Sequence, residues 1–502
     1  MPWPNKYTAT WLVGVISVVL FAFYQAIPTF PDPDSFYHAR LAALMVEHGL
    51  VSQFPWLPFT TLGQAFADHH LLYHVLLMPF VAALGPLTGV KVAQALLAAL
   101  FTLVCYGILR RWRIPYAGLA MIGLYSVYPM LIRINLVKAS AVALIIFVLL
   151  VYALIERRYI LVGILTLIYS MTHGGFLLAL LVAVAVWCAQ LITKSDRKPT
   201  GIMMVGVASL VGILLNPYFP GNLSFLWAQF FQIGVVNYQN TIEVGAEWYP
   251  FSLPNLIGVL SVLLLGLVIA LVVGLRRYQT ILVNTRVLSL AFLVVPLFGL
   301  TLRSRRFIEY LVPVLWLLVC LVILPAWKQG DVQQLWRTYL GRFGKWATVL
   351  KVYLIVAAIF GILRPYGAVI GEFAAQEPLQ RYAAAGTYLR DHVPAGEVIF
   401  HGQWDDFPEL FYHDPTHAYI VGLDPTFLYL ADPALYQQWV NISSGADKLD
   451  TAVHVQDYFR SDYVIVDETS ERTKLMLAYL LRDPTVSEVF HQEAIRIFYI
   501  QS

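Results

Sequence analysis

Apolar residues run along most of this chain in long stretches that short polar segments separate. A helix that crosses a membrane needs about 20 consecutive apolar residues. Stretches near that length lie at 8–29, 88–109, 114–134, 138–156, 159–173, 175–193, 201–216, 253–275, 285–302, 306–326 and 346–364. The pattern predicts a mainly α, polytopic membrane protein with about eleven transmembrane helices.

Composition supports the same class of protein. Of the 502 residues, 59% are hydrophobic and 13% are charged, against roughly 45–50% and 25% in soluble domains. The net charge of +3 is too small to predict a nucleic-acid partner. All three cysteines fall in apolar stretches, which disfavours a disulfide framework.

Basic residues next to the spans predict the orientation. Short cytoplasmic loops are enriched in Lys and Arg, and with eleven spans the basic clusters all fall on one side. These are Lys6, 110–113, Arg157 with Arg158, 194–198, Arg276 with Arg277, and 328–345. The N-terminus is thus expected in the cytoplasm, with the first apolar stretch kept as an anchor. Loops 30–87, 134–138, 217–252 and 303–305 are expected outside, as is the chain after about residue 366.

The last part of the chain changes character. Charged residues become more frequent after about residue 366, and strand-like runs appear at 397–400, 418–423 and 462–467, with helical patterns between them. We expect two domains: a transmembrane domain at 1–366 that carries outer loops 30–87 and 217–252, and an extracytoplasmic α/β domain at 367–502. The apolar run 71–84 ends in Gly-Pro and is interpreted as an interfacial helix.

The first outer loop concentrates polar side chains that are costly to place beside a membrane without a function. Asp34 lies in the segment PDPDSFYHAR, which also holds Asp32 and His38. Asp68, His69, His70 and His74 follow in the same loop. A carboxylate there can act as a general base or bind a divalent cation. The alternative is that Asp34 is only the N-cap of a helix beginning at Ser35.

Cationic residues of the later loops are candidates for binding phosphate. Arg303, Arg305 and Arg306 lie on the side where basic residues are disfavoured, and guanidinium groups suit bidentate phosphate recognition. Headgroup snorkelling is the alternative, least favoured for Arg306 because it opens a span. Arg133 and Lys138 lie in a short outer loop, where Lys138 either neutralises phosphate or is an ordinary interfacial lysine.

Two further segments carry candidate residues. Glu243 and Glu247 flank a small Val-Gly-Ala segment in the third outer loop, and long loops in compact proteins are usually functional or disordered. At the start of the tail, Trp404 and Asp405 follow a predicted strand. They either bind an acceptor or belong to an ordinary strand-to-turn transition with a buried tryptophan.

Taken in order, these segments resemble the catalytic subunit of oligosaccharyltransferases, within the GT-C superfamily of membrane glycosyltransferases. The resemblance rests on four segments spread over nearly the whole chain. They are DSFYHAR (34–40), VGAEWYP (244–250), RFIEYLVPV (306–314) and QWDDFP (403–408).

The resemblance implies a role for each matching residue. Asp34 would be the catalytic, metal-binding carboxylate, Glu247 the mobile-loop glutamate and Arg306 the contact to the donor phosphate. Trp404 and Asp405 would lie where the family binds its acceptor. The acidic pair of the family's second outer loop is missing, since the matching stretch reads INLVKAS. The expected cofactor is therefore either Mg²⁺ or Mn²⁺ held by Asp34, His69 and His70, or none.

The leading interpretation is a glycosyltransferase of a bacterial or archaeal plasma membrane. It would move a sugar or oligosaccharide from a polyprenyl-phosphate or polyprenyl-diphosphate carrier to an extracytoplasmic protein, lipid or glycan. Its phosphate-binding residues would be Arg306, Arg305, Lys138 and Arg133. The alternative is a non-catalytic scaffold or partner subunit that binds lipid-linked glycan. A secondary transporter is disfavoured, because transporters hold their charges near the bilayer midplane.

Overall fold

The computed structural model describes residues 6–276, 283–344 and 346–501. Arg277 and Lys345, two of the basic residues used to predict orientation, lie outside the described residues. The described chain divides into two compact units. The first comprises Met1–Ile27, Lys91–Leu215 and Ala246–Ala375, and the second comprises Pro28–Val90, Asn216–Gly245 and Gln376–Ser502.

The two units do not follow the two ranges expected from the sequence. The sequence assigned outer loops 30–87 and 217–252 to the transmembrane domain. In the structure most of both loops belongs to the same unit as the C-terminal segment, which begins at Gln376. Aromatic side chains explain this grouping within the second unit. Phe54 lies 5.7 Å from Phe411, ring centre to ring centre, and the Trp56 indole N–H donates to the Pro415 carbonyl at 2.7 Å.

Among the described residues of the first unit, all regular secondary structure is helical. The α-helices are Lys6–Gln25, Pro86–Arg111, Ala117–Leu124, Tyr128–Arg133, Ser140–Ile155, Tyr159–Ser170, Leu178–Ile192, Thr200–Leu215, Leu253–Arg276, Thr285–Arg303, Ile308–Gln329, Asp331–Leu340 and Trp346–Ala374. The helix Pro86–Arg111 begins in the second unit and belongs to the first from Lys91 onward. Short 3₁₀ turns lie at Gly174–Leu177, Ala246–Trp248, Arg305–Phe307 and Gly341–Phe343.

Seven helices in the described part of the chain are long and apolar enough to cross a membrane. They are Thr8–Gln25, Pro86–Arg111, Gly174–Ile192, Leu253–Arg276, Thr285–Arg303, Arg305–Gln329 and Trp346–Ala374. Each coincides with a predicted span, so the chain is a polytopic, mainly α membrane protein.

The other four predicted spans differ from expectation. Ser140–Ile155, Tyr159–Ser170 and Thr200–Leu215 are apolar helices of only 12–16 residues. Ser140–Ile155 is buried along nearly its whole length, as expected for a helix that is apolar all round. The stretch 114–134 splits into Ala117–Leu124 and Tyr128–Arg133. Val127 is extended, and Pro129 lies in the first turn of the second helix, where a missing N–H is tolerated.

The second unit combines helices with one sheet. Its helices are Asp34–His48, Thr61–Gln64, Leu71–Leu84, Asn222–Trp227, the π-helix Ala228–Val236, Ala383–His392, Phe407–His413, Thr426–Ala431, Pro433–Ser444, the 3₁₀ turn Lys448–Asp450, Thr451–Phe459 and Lys474–Leu480. The strands are β1 (Val398–His401), β2 (Ala418–Tyr419), β3 (Tyr463–Asp467), β4 (Val486–Gln492) and β5 (Ile495–Ile500).

The sheet confirms the predicted α/β character of the tail. Its order is β2-β1-β3-β5-β4, with β1 parallel to β2 and β3, and β5 antiparallel to β3 and β4. The three predicted strands are β1, β2 and β3, whereas β4 and β5 were missed. Its central residues, such as Phe400, Val464 and Ile497, are fully buried.

Candidate active site

Three charged side chains that the sequence singled out meet in the first unit. Glu247 lies in the turn Ala246–Trp248, Arg306 in the turn Arg305–Phe307, and Arg133 ends the helix Tyr128–Arg133. Arg133 Nη1 donates to Glu247 Oε2 at 2.8 Å, and Arg306 Nη1 donates to Glu247 Oε1 at 2.9 Å. One carboxylate therefore bridges two guanidinium groups; we call these three residues the arginine–glutamate bridge.

Contacts to backbone carbonyls hold the turn that carries Glu247, Ala246–Trp248, against the turn that carries Arg306. Ser304 is extended between the helix Thr285–Arg303 and the following turn, and its hydroxyl donates to the Glu247 carbonyl at 2.8 Å. The Arg305 N–H donates to the Tyr249 carbonyl at 3.1 Å. The Arg306 guanidinium also lies 5.0 Å from the centre of the Trp248 ring, a cation–π arrangement. Glu247 is thus positioned by its backbone as well as by its charge.

Glu309 is a site residue that the sequence analysis missed. Its side chain is fully buried, it forms an ion pair with Arg133 Nε, and its Oε1 has no hydrogen-bond partner among the described residues. A carboxylate inside an apolar span is rare and usually functional, so Glu309 carried a signal one turn after Arg306. By occupying Nε, Glu309 directs the Nη1 end of Arg133 toward the bridge.

The electrostatic surroundings keep Glu247 ionised. Burial alone raises the pKa of a carboxyl group, but Arg306, Arg133 and Lys138 outweigh that effect and hold the pKa of Glu247 well below its usual range. Lys138 therefore contributes charge to this cluster. Arg305 differs, since its exposed guanidinium contacts the Pro250 carbonyl at 3.2 Å and the Phe251 ring. A strongly cationic centre that already holds an oxyanion is suited to bind a phosphate group.

The second unit contains a buried chain of hydrogen bonds through two histidines. His74 Nδ1 lies 2.7 Å from Asp68 Oδ2, and His74 Nε2 lies 2.8 Å from His38 Nδ1. The Asp68 Oδ1 atom accepts the His70 N–H at 2.9 Å. An aspartate carboxylate only accepts hydrogen bonds, so His74 donates from Nδ1 and, when neutral, accepts at Nε2 from His38. This histidine relay, Asp68–His74–His38, makes the outer nitrogen of His38 an acceptor.

Asp34 is the first residue of the helix Asp34–His48 and lies one helical turn before His38. Residues four apart share a helix face, so the carboxylate and the outer end of the histidine relay lie on one face. The alternative that Asp34 caps a helix starting at Ser35 is wrong. The N-cap position is Pro33, and Asp32 Oδ1 accepts the Asp34 N–H at 3.0 Å.

A metal site at Asp34, His69 and His70 is one of the two alternatives expected from the sequence. No group of three or more His, Cys, Asp or Glu side chains among them is arranged to hold a metal ion. The His69 ring stacks on Phe225 at 4.6 Å and lies tilted against His70 at 3.7 Å, both measured between ring centres. A Mg²⁺ or Mn²⁺ site built from Asp34, His69 and His70 remains a prediction, and no chemical step below passes through it.

The tail residues lie at the end of β1. Trp404 and Asp405 form the turn between β1 and the helix Phe407–His413, with Trp404 partly exposed and Asp405 exposed. The turn was expected, but the tryptophan is not buried. Its accessible indole ring can still pack against a ligand.

A half-buried and a buried carboxyl group, Asp406 and Glu409, lie just beyond this turn. Desolvation and the neighbouring Asp405 raise the pKa of Asp406 to about 7, although Arg381 and a hydrogen bond with Tyr382 oppose the shift. Desolvation raises the pKa of Glu409 to about 8, against the opposing effect of Arg381. The guanidinium of Arg381 itself pairs with Asp467. This acidic cluster therefore binds protons near neutral pH.

Glu243 is held separately from Glu247. It forms an ion pair with Arg472, whose guanidinium lies 4.6 Å from the centre of the buried Trp439 ring. Both residues belong to the second unit. The outer loop is therefore attached at Glu243 inside the second unit and at Glu247 inside the first.

Comparison with known proteins identifies the fold. No family model matches the sequence, and no curated protein matches it significantly. The structure, however, is similar to that of the Archaeoglobus fulgidus oligosaccharyltransferase in its apo form. The TM-score is 0.65 at 13% identity, over 95% of this chain and 72% of that one.

Two further solved structures have the same fold. ArnT from Cupriavidus metallidurans, bound to undecaprenyl phosphate, matches with a TM-score of 0.59 at 13% identity over 98% of both chains. The mycobacterial arabinofuranosyltransferase AftD matches with a TM-score of 0.57 at 14% identity, over all of this chain and 40% of that one. The chain therefore has the fold of the GT-C membrane glycosyltransferases.

Proposed function

We propose that this protein is a membrane glycosyltransferase that uses a polyprenyl-linked donor. It moves a sugar or oligosaccharide from a polyprenyl-phosphate or polyprenyl-diphosphate to an acceptor outside the cytoplasm. The observation that carries the proposal is the arginine–glutamate bridge, two guanidinium groups already arranged around one oxyanion in a GT-C fold. One structurally similar protein is bound to undecaprenyl phosphate and another to a dolichol-phosphate, which supports a lipid phosphate as the donor group.

The proposed chemistry needs a base and an anion-stabilising group. Asp34 takes the proton of the attacking acceptor hydroxyl or amide as the new glycosidic bond forms at the anomeric carbon. The bond from that carbon to the phosphate oxygen breaks, and the lipid phosphate leaves as an anion. Arg306 and Arg133 stabilise the charge that develops on it, as preorganised cations do most effectively in a partly desolvated site.

The proposed topology places this chemistry outside the cytoplasm. The basic clusters that flank the spans support a cytoplasmic N-terminus and an outward C-terminal segment. Trp404 and Asp405, in their turn after β1, are proposed to bind the acceptor. A periplasmic reporter fused to the C-terminus should be active, and a cytoplasmic reporter at the same position should be silent.

Asp34→Asn separates an enzyme from a non-catalytic scaffold. If Asp34 is the general base, transfer should fall on the order of 10²–10⁴-fold, while binding of a polyprenyl-phosphate stays within about twofold of the wild-type value. Radiolabelled sugar transfer and lipid binding are measured on the same preparations. Full transfer activity in the variant would remove Asp34 from the mechanism, and a wild-type protein that binds donor without transfer would favour the scaffold.

Arg306→Lys tests the phosphate site. Lysine keeps the charge but loses the forked geometry of the guanidinium, so affinity for a polyprenyl-phosphate should fall about 10-fold. Arg303→Lys is the matched control, since Arg303 is exposed at the end of the preceding helix. Equal, small effects at both positions would show that the arginines only anchor lipid headgroups.

A further inference from the structure

The arginine–glutamate bridge is a closed arrangement in which the two proposed phosphate-binding arginines already have an anionic partner. Each oxygen of the Glu247 carboxylate accepts from a different guanidinium, at 2.8 Å from Arg133 and 2.9 Å from Arg306. The two non-bridging oxygens of a phosphate ester present a similar pair of acceptors. A phosphate and the Glu247 carboxylate therefore compete for the same Nη1 donors.

Charge balance favours exchange of one anion for the other. Glu309 keeps its contact with Arg133 Nε from the buried side, so it does not block the bridge. When the Glu247 carboxylate leaves, Arg306 and Arg133 each lose the anion that accepts from Nη1, and partly buried cations whose charge is less well compensated are unfavourable. The Arg133 and Arg306 side chains are 12% and 21% exposed, against 26% for Glu247. The glutamate is thus the member of the bridge with the greatest access to solvent.

The sequence around Glu247 allows such a movement. It follows the small residues Val244, Gly245 and Ala246, and its turn spans only three residues. Glu243, just before this segment, stays attached through its ion pair with Arg472 in the second unit. A short segment can therefore release Glu247 while the rest of the loop keeps its attachment.

We propose that Glu247 occupies the donor-phosphate site of the resting protein and that the donor must displace it to bind. This inference rests on the proposed function, and it adds that the glutamate loop and the lipid phosphate exclude one another at Arg133 and Arg306. Donor binding then frees the Glu247 carboxylate, so the carboxylate becomes available to the acceptor only when a donor is present.

The test measures the affinity for farnesyl phosphate of the full-length protein in phosphatidylcholine nanodiscs. Glu247→Gln keeps the side-chain volume but removes the competing anion, so binding should tighten by about 10-fold, or ~1.4 kcal/mol. Sugar transfer is not needed for this readout. A Glu247 that only contacts the substrate would give unchanged or weaker binding, and that result would overturn the displacement.

Two control variants separate displacement from a general change in charge. Glu309→Gln removes the same charge beside Arg133 without vacating the bridge, and Glu243→Gln removes a charge from the same loop. Neither should tighten binding by more than about twofold. Equal tightening in Glu309→Gln would mean that through-space electrostatics explain the result, and the displacement would be wrong.

Two outcomes distinguish the inference from the function on which it rests. If neither the wild type nor Glu247→Gln binds farnesyl phosphate, the phosphate site itself is refuted and the proposed function fails. If the wild type binds and Glu247→Gln binds no better, only the displacement fails. A second variant, Glu247→Ala, must tighten binding as well, and a gain confined to the glutamine variant counts against the proposal.

Discussion

Glu247 in the first unit and Glu409 in the second are both shielded carboxylates, yet their surroundings impose opposite protonation states. Two guanidinium groups contact Glu247, and its pKa lies well below the usual range. Glu409 is 6% exposed, and the ring nitrogen 3.9 Å from its carboxylate belongs to His413, whose own pKa burial lowers. Desolvation raises the pKa of Glu409 to about 8, although Arg381 opposes the shift. Desolvation acts on both groups, so the balance of neighbouring charges decides which one stays ionised.

The comparison extends to the histidines of the second unit. The first unit compensates its buried charges with opposite charges at Arg133, Glu247, Arg306 and Glu309. The second unit instead fixes protons on particular atoms, as in the histidine relay and the acidic cluster. The first arrangement is suited to binding and releasing a charged group, and the second to accepting or holding a proton.

The largest effect should come from breaking the charge compensation in the first unit. Glu309→Ala leaves the Arg133 guanidinium without its buried partner, and loss of one member of a buried pair costs about 3–5 kcal/mol. Thermal unfolding in detergent, followed by circular dichroism, measures the loss. Glu488→Ala is the control, because its pair with Arg496 is a third exposed and should contribute no more than about 1 kcal/mol. Comparable losses of stability in both variants would show that the buried Glu309–Arg133 pair matters no more than an exposed pair.

The histidine relay should give the next largest effect, on rate rather than on stability. Asp68→Asn allows an amide N–H to face His74 Nδ1 and removes the group that fixes its tautomer. Transfer should fall roughly 10–100-fold, by analogy with the range for carboxylates that orient metal-ligating histidines. Nitrogen NMR of labelled histidine should show a changed tautomer at His74.

Asp414→Asn is a matched control for the relay. Asp414 pairs with the buried His417 at 2.6 Å in the same unit, but neither residue belongs to the proposed site. This variant should lose stability and retain its rate per folded molecule. If both variants slow transfer equally, or if the His74 tautomer does not change in Asp68→Asn, the relay has only a structural role.

The pH dependence of stability tests the acidic cluster. The folded pKa of Glu409, about 8, exceeds its ordinary value of 4.5. The unfolded chain therefore binds fewer protons between those values, and stability falls as the pH rises through this window. Asp406, with its pKa raised to about 7, contributes a slope of the same sign below that pH. Glu409→Gln should therefore reduce the slope, and it should raise the melting temperature at pH 8.5 by about 2–4 °C, equivalent to ~1 kcal/mol.

His401 gives a pH dependence of the opposite sign and must be separated from Glu409. Burial lowers the pKa of His401 to about 4, below its ordinary value of 6.5. Stability is therefore lost as the pH falls from 6.5 toward 4, whether or not Glu409 is present. Glu471→Gln, at an exposed site, should leave the whole profile unchanged. An unaltered slope between pH 5 and 8 in Glu409→Gln would show that Glu409 is ionised in the folded protein.

The smallest effect is expected at Arg305. Sequence analysis grouped it with Arg306 as a phosphate-binding residue, but its guanidinium contacts Pro250 and Phe251 at the surface. Arg305→Lys should change the affinity for farnesyl phosphate by no more than about twofold, since exposed charges contribute little. An effect as large as that of Arg306→Lys would mean that Arg305 also binds the phosphate. The arginine–glutamate bridge would then not differ in function from the exposed arginine beside it.

The amino-acid sequence by itself determined the class of protein and most of its helices. The length and spacing of apolar stretches are local properties of the sequence. Each long apolar stretch therefore predicted a helix, and the short runs at β1, β2 and β3 predicted strands. It missed β4, whose side chains are largely exposed or only partly buried, because a strand without a buried face has no clear alternation. It also identified Arg306 as a basic residue on the disfavoured side of the membrane, and Glu247 and Arg133 as candidate residues of outer loops.

Only the tertiary structure decided which of these residues meet. Arg133 lies 114 residues from Glu247 and 176 from Glu309 along the chain, and no local pattern encodes a contact between side chains so far apart. The same holds for His38 and His74, which are 36 residues apart. Coulomb attraction and hydrogen bonding depend on distance in space, which the folded helices set. The protonation states of Glu247 and Glu409 followed from that arrangement and not from their residue type.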